Sequence, residues 1–214
     1  MRLLSALTAL FLLTASLQGS VSFYLNADLL KDQNGNPIPD SSLVMLVVST
    51  MDGTFSTMGP GYVPLGSYLS DDDVVVYLTD LSLSGIPGVL DGATPELLLE
   101  DVAGWDAGDP LAVYWLPGAT LAQPEINAGD SYGMYTDSEG HDGSYPWVTP
   151  LDGTSGWQLM FYTQDGVDYS PGAEAFNPAE AGLASLAAAP EPTRGLLFVL
   201  GALMMCTRRR RRCF

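Results

Sequence analysis

The chain has 214 residues and a formal net charge of −17 at pH 7, but residues 20–189 hold 24 acidic residues against one basic residue, Lys31, a net charge of about −23. This excludes nucleic acid and anionic membrane surfaces as partners of that part, because binding to phosphate groups depends on Lys and Arg. A hydrophobic content of 47% and an aromatic content of 10% are typical of a folded domain.

The chain begins with the features of a signal peptide. Arg2 precedes an apolar run, residues 3–17, which is interrupted only by Ser and Thr and is too short to span a bilayer. Small residues follow, so we place cleavage between about Gly19 and Ser22 and assign residues 1–19 to the signal peptide. The alternative is an N-terminal core helix, but no capping residue marks its start and a strand pattern follows at once.

Five segments have the pattern of β-strands. Residues 21–29 alternate apolar and polar side chains, apart from Tyr24, which predicts a half-buried strand. Residues 31–40 form a turn-rich loop with two prolines. Residues 43–48 are continuously apolar and rich in β-branched side chains, which predicts a strand buried on both faces. The same signature recurs in residues 74–78, 111–115 and 157–162.

Asp-Gly pairs separate these segments and predict turns, because glycine readily adopts positive φ. They lie at Asp52-Gly53, Asp91-Gly92, Asp142-Gly143, Asp152-Gly153 and Asp165-Gly166. Helical patterns occur only at residues 94–102 and 179–188. The alternation of strand and turn predicts an all-β fold, a single β-sandwich-like domain over residues 20–173, followed by an Ala- and Gly-rich linker at residues 174–189.

Two acidic segments are candidate calcium sites. The first is Asp71, Asp72 and Asp73, directly before a predicted strand, where adjacent carboxylates repel one another unless water solvates them or a cation bridges them. A solvated edge and a calcium site are both open at this point. Residues 32–40 also place oxygen atoms at alternate positions, but they lack the Gly and Glu that an EF-hand needs, which predicts an ordinary interstrand loop.

The second candidate is a loop that contains Asp137, Glu139, Asp142 and the only histidine of the chain, His141. Carboxylates bind calcium and aromatic faces stack on sugar rings, so the segment is typical of a calcium-dependent carbohydrate site. It is equally typical of a polar loop whose aromatic side chains pack into the core. Its flanking aromatic residues are Tyr132, Tyr135, Tyr145 and Trp147.

The part of the chain between residues 20 and 189 offers few catalytic groups. It has no cysteine or arginine and one histidine, which excludes thiol chemistry, arginine clamps and His-rich zinc sites there. Any two of the 24 acidic residues could lie at the spacing that a glycosidase needs for its pair of carboxylates. A carboxylate-based polysaccharide hydrolase is therefore one functional alternative. We expect no catalytic role.

Residues 190–214 combine three elements in a fixed order: a Pro-Glu-Pro motif, an apolar segment at residues 195–207 and a terminal arginine cluster. The positive-inside rule keeps the arginines in the cytoplasm and the body of the protein outside. This order resembles the PEP-CTERM sorting signal of Gram-negative bacteria, although the apolar segment is shorter than that family's usual span. The residues that carry the resemblance are Pro190, Glu191, Pro192, Arg208, Arg209, Arg210, Arg211 and Arg212.

The resemblance implies a route for the protein. The export translocon moves the chain across the inner membrane, the tail forms a membrane intermediate, and an exosortase, a membrane-embedded transpeptidase-like enzyme, processes it near Pro190. The product is then attached or released at the cell surface, often alongside exopolysaccharide. We therefore expect an exported, non-enzymatic surface or extracellular-matrix protein. The first alternative is a calcium-dependent carbohydrate-binding module, and the second is the polysaccharide hydrolase.

Overall fold

The computed structural model describes residues 20–140 and 144–161, which form an all-β domain. The prediction of an all-β sandwich is confirmed, and all five predicted strands are present. The strands are β1 (Ser20–Ala27), β2 (Leu43–Ser49), β3 (Gly61–Tyr62), β4 (Asp73–Thr79), β5 (Leu90–Ala93), β6 (Glu96–Leu98), β7 (Leu111–Leu116), β8 (Glu125–Ile126), β9 (Gly133–Tyr135) and β10 (Trp157–Phe161).

The strands form two four-stranded sheets and a ribbon. In the first, which we call the outer sheet, β1 pairs in parallel with β10 and antiparallel with β5 and β6. The second, the central sheet, is antiparallel with the order β4-β2-β7-β9. The ribbon consists of β3 and β8. These three units stack with the central sheet in the middle, as their cores show.

Strand β1 explains how the outer sheet packs. Val21, Phe23, Leu25 and Ala27 are at most 3% exposed, and the residues between them face away from the core. Successive side chains of a strand point to opposite faces, so the alternation in the sequence buries one face only. The prediction of a half-buried strand is confirmed.

Strand β2 is buried at all seven positions. Val44, Leu46 and Val48 point into the core between the two sheets. Leu43, Met45 and Val47 instead join a second core, which the ribbon and its loops cover. The central sheet is therefore covered on both faces, as the continuous apolar run predicted.

Two local predictions need correction. Asp91-Gly92 is not a turn: it lies inside β5, where the register with β1 shifts by a bulge, and the Gly92 N–H donates to Asn26 Oδ1 at 2.8 Å. Residues 94–102, which have a helical pattern, do not form an α-helix: they hold β6 and one 3-10 turn, Leu99–Asp101. The strand forms there because β6 pairs with β1 and Leu97 packs on the core between the sheets. Gly153 does occupy a turn, and Gly53 lies in a bend of the chain; both have positive φ.

Several predictions fall outside the described residues. These are the signal peptide, the Asp-Gly pairs at Asp142-Gly143 and Asp165-Gly166, the helical pattern at residues 179–188, the linker and the sorting tail.

Candidate functional site

The structure separates the three consecutive aspartates that precede β4. Asp71 is exposed, but Asp72 is 7% exposed and Asp73 is 0% exposed. The loop of residues 49–56 lies against them and supplies hydrogen-bond donors to both buried carboxylates. The solvated-edge interpretation is therefore wrong for Asp72 and Asp73 and fits Asp71 alone.

The Asp72 carboxylate joins two loops. Its Oδ2 accepts hydrogen bonds from the Ser49 hydroxyl at 3.0 Å and the Asp52 N–H at 3.1 Å, and its Oδ1 accepts one from the Ser70 hydroxyl at 3.3 Å. The Asp52 N–H holds the pKa of Asp72 below its ordinary value, and the two hydroxyls act in the same direction against the opposing effect of burial. The ionised carboxylate therefore serves as an acceptor for its own chain.

Asp73 is shifted the opposite way. Its Oδ2 accepts a hydrogen bond from the Ser56 N–H at 2.8 Å, but Oδ1 is buried without a hydrogen-bond partner among the described residues. Burial raises the pKa of Asp73, and the neighbouring carboxylates of Asp72 and Asp52 raise it further. The pKa values of two adjacent carboxyl groups are thus shifted in opposite directions.

The second candidate loop is organised by Asp137. Its Oδ1 accepts hydrogen bonds from the backbone N–H groups of Glu139 at 3.1 Å and Gly140 at 3.0 Å, and its carboxylate interacts electrostatically with the Tyr135 side chain. Burial, and after it the charge of Asp137, raises the pKa of Tyr135 above its ordinary value, so this phenol stays protonated. Glu139 is exposed. His141 and Asp142, two further members of this candidate, lie outside the described residues.

Three of the four aromatic residues around this loop belong to the core. Tyr132, Tyr135 and Trp147 are at most 8% exposed. The Tyr135 ring stacks on Phe161 with centroids 4.0 Å apart and meets Trp147 edge-on at 5.3 Å, and the Tyr132 hydroxyl accepts the Met58 N–H at 3.0 Å. The alternative interpretation, aromatic side chains that pack into the core, is therefore confirmed for these three.

Tyr145 is the exception, since it is 47% exposed. Its ring stacks on Trp157 with centroids 4.4 Å apart, and the Trp157 indole N–H donates to the Pro146 carbonyl at 3.1 Å. The Tyr145 N–H in turn donates to the Gln158 carbonyl beside β10. The sequence does not reveal this stacked pair, because the two residues are twelve positions apart. Only the backbone contact of Tyr145 with β10 brings the rings together.

The loop of residues 31–37 is held together from within, as the sequence predicted for an ordinary interstrand loop. Asp32 Oδ1 accepts hydrogen bonds from the Asn34 N–H at 2.8 Å and the Asn36 N–H at 2.9 Å. The Asn36 N–H lowers the pKa of Asp32, with smaller contributions from the Asn36 and Asn34 side chains and the Asn34 N–H. Gly35 completes the turn with a φ of 80°.

The loop before β9 contains a sequence pattern that is typical of serine hydrolases. Residues 129–133 read Gly-Asp-Ser-Tyr-Gly, which matches the Gly-x-Ser-x-Gly pattern of serine hydrolases. That pattern requires a sharp strand-to-helix turn, but Ser131 lies in a loop before β9, and its hydroxyl donates to Gln33 Oε1 at 3.0 Å. The local structure does not fit a nucleophile elbow.

Residues 20–140 and 144–161 contain neither a cluster of metal ligands nor a helix that could cross a membrane. No group of three or more His, Cys, Asp or Glu side chains in this part is arranged to hold a metal ion. No helix in it is long and apolar enough to cross a membrane. The Pro-Glu-Pro motif and the arginine cluster lie outside it.

Comparison with known proteins adds no family. Searches of protein-family models, curated proteins and solved structures found no match.

Proposed function

We propose that this chain is an exported bacterial surface or extracellular-matrix protein, processed at its C-terminal tail by an exosortase-type enzyme and without a catalytic role. The observation that carries the proposal is the order of elements in residues 190–214: Pro-Glu-Pro, then an apolar segment, then five consecutive arginines. A signal peptide at residues 1–19 is the matching element at the other end.

The composition of the body supports this route. Residues 20–189 contain no cysteine, so folding after export requires no disulfide formation, and the hydrophobic cores of the two sheets supply the stability instead. A net charge near −23 keeps such a domain soluble and prevents close association with other acidic surfaces. Both properties suit a protein displayed outside the cell.

The arginine cluster provides the test. Replacement of all five arginines, Arg208 to Arg212, by Gln removes the charge bias that orients the tail, so we expect loss of processing and of surface display in the native host. Arg194→Gln is the matched control, because it removes a basic residue on the other side of the apolar segment and leaves the bias intact. Cell fractionation and immunoblotting measure both. Normal processing of the quintuple variant would contradict the proposal.

A calcium-dependent carbohydrate-binding module is the second candidate. The exposed Tyr145 ring, supported from behind by Trp157, favours it, because a rigid aromatic face suits stacking on a sugar. A glycan array tests this function. It would be supported if binding is lost on adding a chelator and in Tyr145→Ala but is retained in Tyr68→Ala. Tyr68 is a suitable control because it is 55% exposed elsewhere on the surface. Binding that survives both the chelator and Tyr145→Ala would reject it.

A further inference from the structure

A groove of about 480 Å³ lies between the two sheets at the side formed by β4 and β6. The outer edge of β4 is already paired, because the Gly66 N–H donates to the Val75 carbonyl and the Val75 N–H donates to the Ser67 carbonyl. The groove volume is within the range of ligand-binding clefts in proteins. None of the segments discussed under the candidate site contributes to it.

The groove runs along the edge of β6. Glu96, Leu97 and Leu98 are consecutive, and all three line it. Because successive side chains of a strand point to opposite faces, a groove lined by three in a row must follow the strand's edge. In the part of the chain that the structure describes, β6 pairs only with β1, so its second edge is open towards the groove. An open edge binds extended peptides through backbone hydrogen bonds.

The apolar walls are aliphatic. Leu65 is 63% exposed, and Leu97, Leu98 and Val102 are partly exposed. Trp105 also borders the groove but is only 4% exposed, and its indole N–H donates to the Thr149 hydroxyl at 2.7 Å. Its ring is thus packed inward and offers no face to a sugar. The walls favour aliphatic side chains as ligands over carbohydrate rings.

The charged residues of the groove are both acidic. Glu96 and Asp101 are exposed at its rim, and none of the described residues that border it is basic. Lys31, the one basic residue in the described part of the chain, lies in the loop of residues 31–37. A ligand with Lys or Arg side chains matches this rim, since their stems pack on aliphatic surface while their charged ends meet carboxylates.

From these features we propose that the groove binds an extended peptide segment of a partner protein, in which basic and aliphatic residues alternate, as an added strand along β6. The proposal goes beyond export and processing and does not depend on them. The peptide backbone pairs with the open edge of β6. Its aliphatic side chains lie on the same side as Leu97 and contact Leu65, Leu97 and Val102, and its basic side chains meet Glu96 and Asp101.

The test uses an acetylated, amidated octapeptide of alternating Lys and Val, titrated into the full chain by calorimetry at 0.15 M NaCl. The chain ending at residue 189 is titrated in parallel, which removes competition from the protein's own arginine cluster. We expect saturable one-to-one binding that is lost with a Gln-Val peptide, a Lys-Gly peptide and a Lys-Val peptide methylated on alternate backbone nitrogens. Absence of binding, or equal binding of the methylated peptide, would overturn the proposal, as would tighter binding of a glucosamine hexamer.

Matched variants locate the site. Glu96→Gln combined with Asp101→Asn should weaken binding about fivefold to tenfold, because two surface ion pairs are lost. Glu100→Gln combined with Glu125→Gln removes the same charge outside the groove and should have little effect. Leu65→Ser should weaken binding but Leu83→Ser should not, although both leucines are 63% exposed. If the groove variants and the control variants weaken binding equally, the attraction is a general effect of charge. That result would contradict binding in the groove.

Discussion

The outer and central sheets differ in how many of their faces are covered. In β1 of the outer sheet, buried residues alternate with residues that face solvent, and Tyr24 is 48% exposed. In β2 of the central sheet every residue is buried, because the outer sheet covers one face and the ribbon with its loops covers the other. Stability is thus concentrated in the central sheet, and the outer sheet leaves one face available to solvent and to ligands.

The largest expected effect comes from truncating β2 on either face. The side chains of Met45 and Leu46 point into different cores. Met45→Ala and Leu46→Ala should each lower the free energy of unfolding by about 2–5 kcal/mol. On β1 only the inward face should respond this way, so Tyr24→Ala should cost about 1 kcal/mol or less. Urea unfolding measures all three. A cost below about 1 kcal/mol for Met45→Ala would show that the second face is not a true core.

A tight contact between β7 and β9 gives the next largest effect. A Cβ atom added at Gly133 would overlap Cε2 and Cζ2 of the Trp115 ring, which is 1% exposed and cannot move aside. Gly133→Ala should therefore destabilise the domain by about 1–3 kcal/mol. Gly59→Ala is the control, because no atom lies within 4 Å of the added Cβ there. Equal stability of the two variants would contradict this packing.

Asp72 and Asp73 should affect stability with opposite pH dependence. The pKa of Asp72 is lowered in the fold, so its contribution is present above its ordinary value of 3.8 and is lost as the pH falls through the folded value. Asp72→Asn should then lower the melting temperature at pH 7 by a few degrees and have less effect at pH 3.

For Asp73 the sign is reversed. Its raised pKa favours the neutral form in the fold, so its contribution is present below the ordinary value of 3.8 and is lost as the pH rises through the folded value. Asp73→Asn should raise the melting temperature at pH 7 and give no gain at pH 3. Melting curves at both pH values decide the matter, and shifts of equal sign in the two variants would contradict the opposed environments.

The smallest and most general effect is that of salt. With about 23 excess negative charges, a protein of residues 20–189 should melt at gradually higher temperature as NaCl shortens the Debye length from about 30 Å at 0.01 M to about 8 Å at 0.15 M. A saturable additional gain with calcium at constant ionic strength would indicate a specific site and strengthen the carbohydrate-binding alternative. Equal curves in calcium and sodium would leave screening as the only effect.

The long strands were predictable and the short ones were not. Residues 43–48 and 21–29 carry enough residues for a periodicity to be read, and both became strands as predicted. β3 and β8 have two residues each, so no pattern can reveal them, yet their ribbon covers the central sheet. At Asp91-Gly92 the local turn preference was overridden by pairing with β1.

The candidate sites were less predictable than the fold. The sequence showed that Asp71, Asp72 and Asp73 are adjacent, but their different burial depends on Ser49, Asp52 and Ser56, about twenty residues earlier in the chain. The edge of β6 was hidden for a similar reason, because its openness follows from which strands pair with β1.

Export of the chain and cleavage at both of its ends form the proposed route to the cell surface. Intact-mass analysis of the protein extracted from the surface of its native host tests this most directly. We expect a single mature form that begins between about Gly19 and Ser22, ends near Pro190-Glu191-Pro192 and lacks the arginine cluster. A mass that still includes residues 208–214 would contradict processing and favour permanent anchoring through the tail.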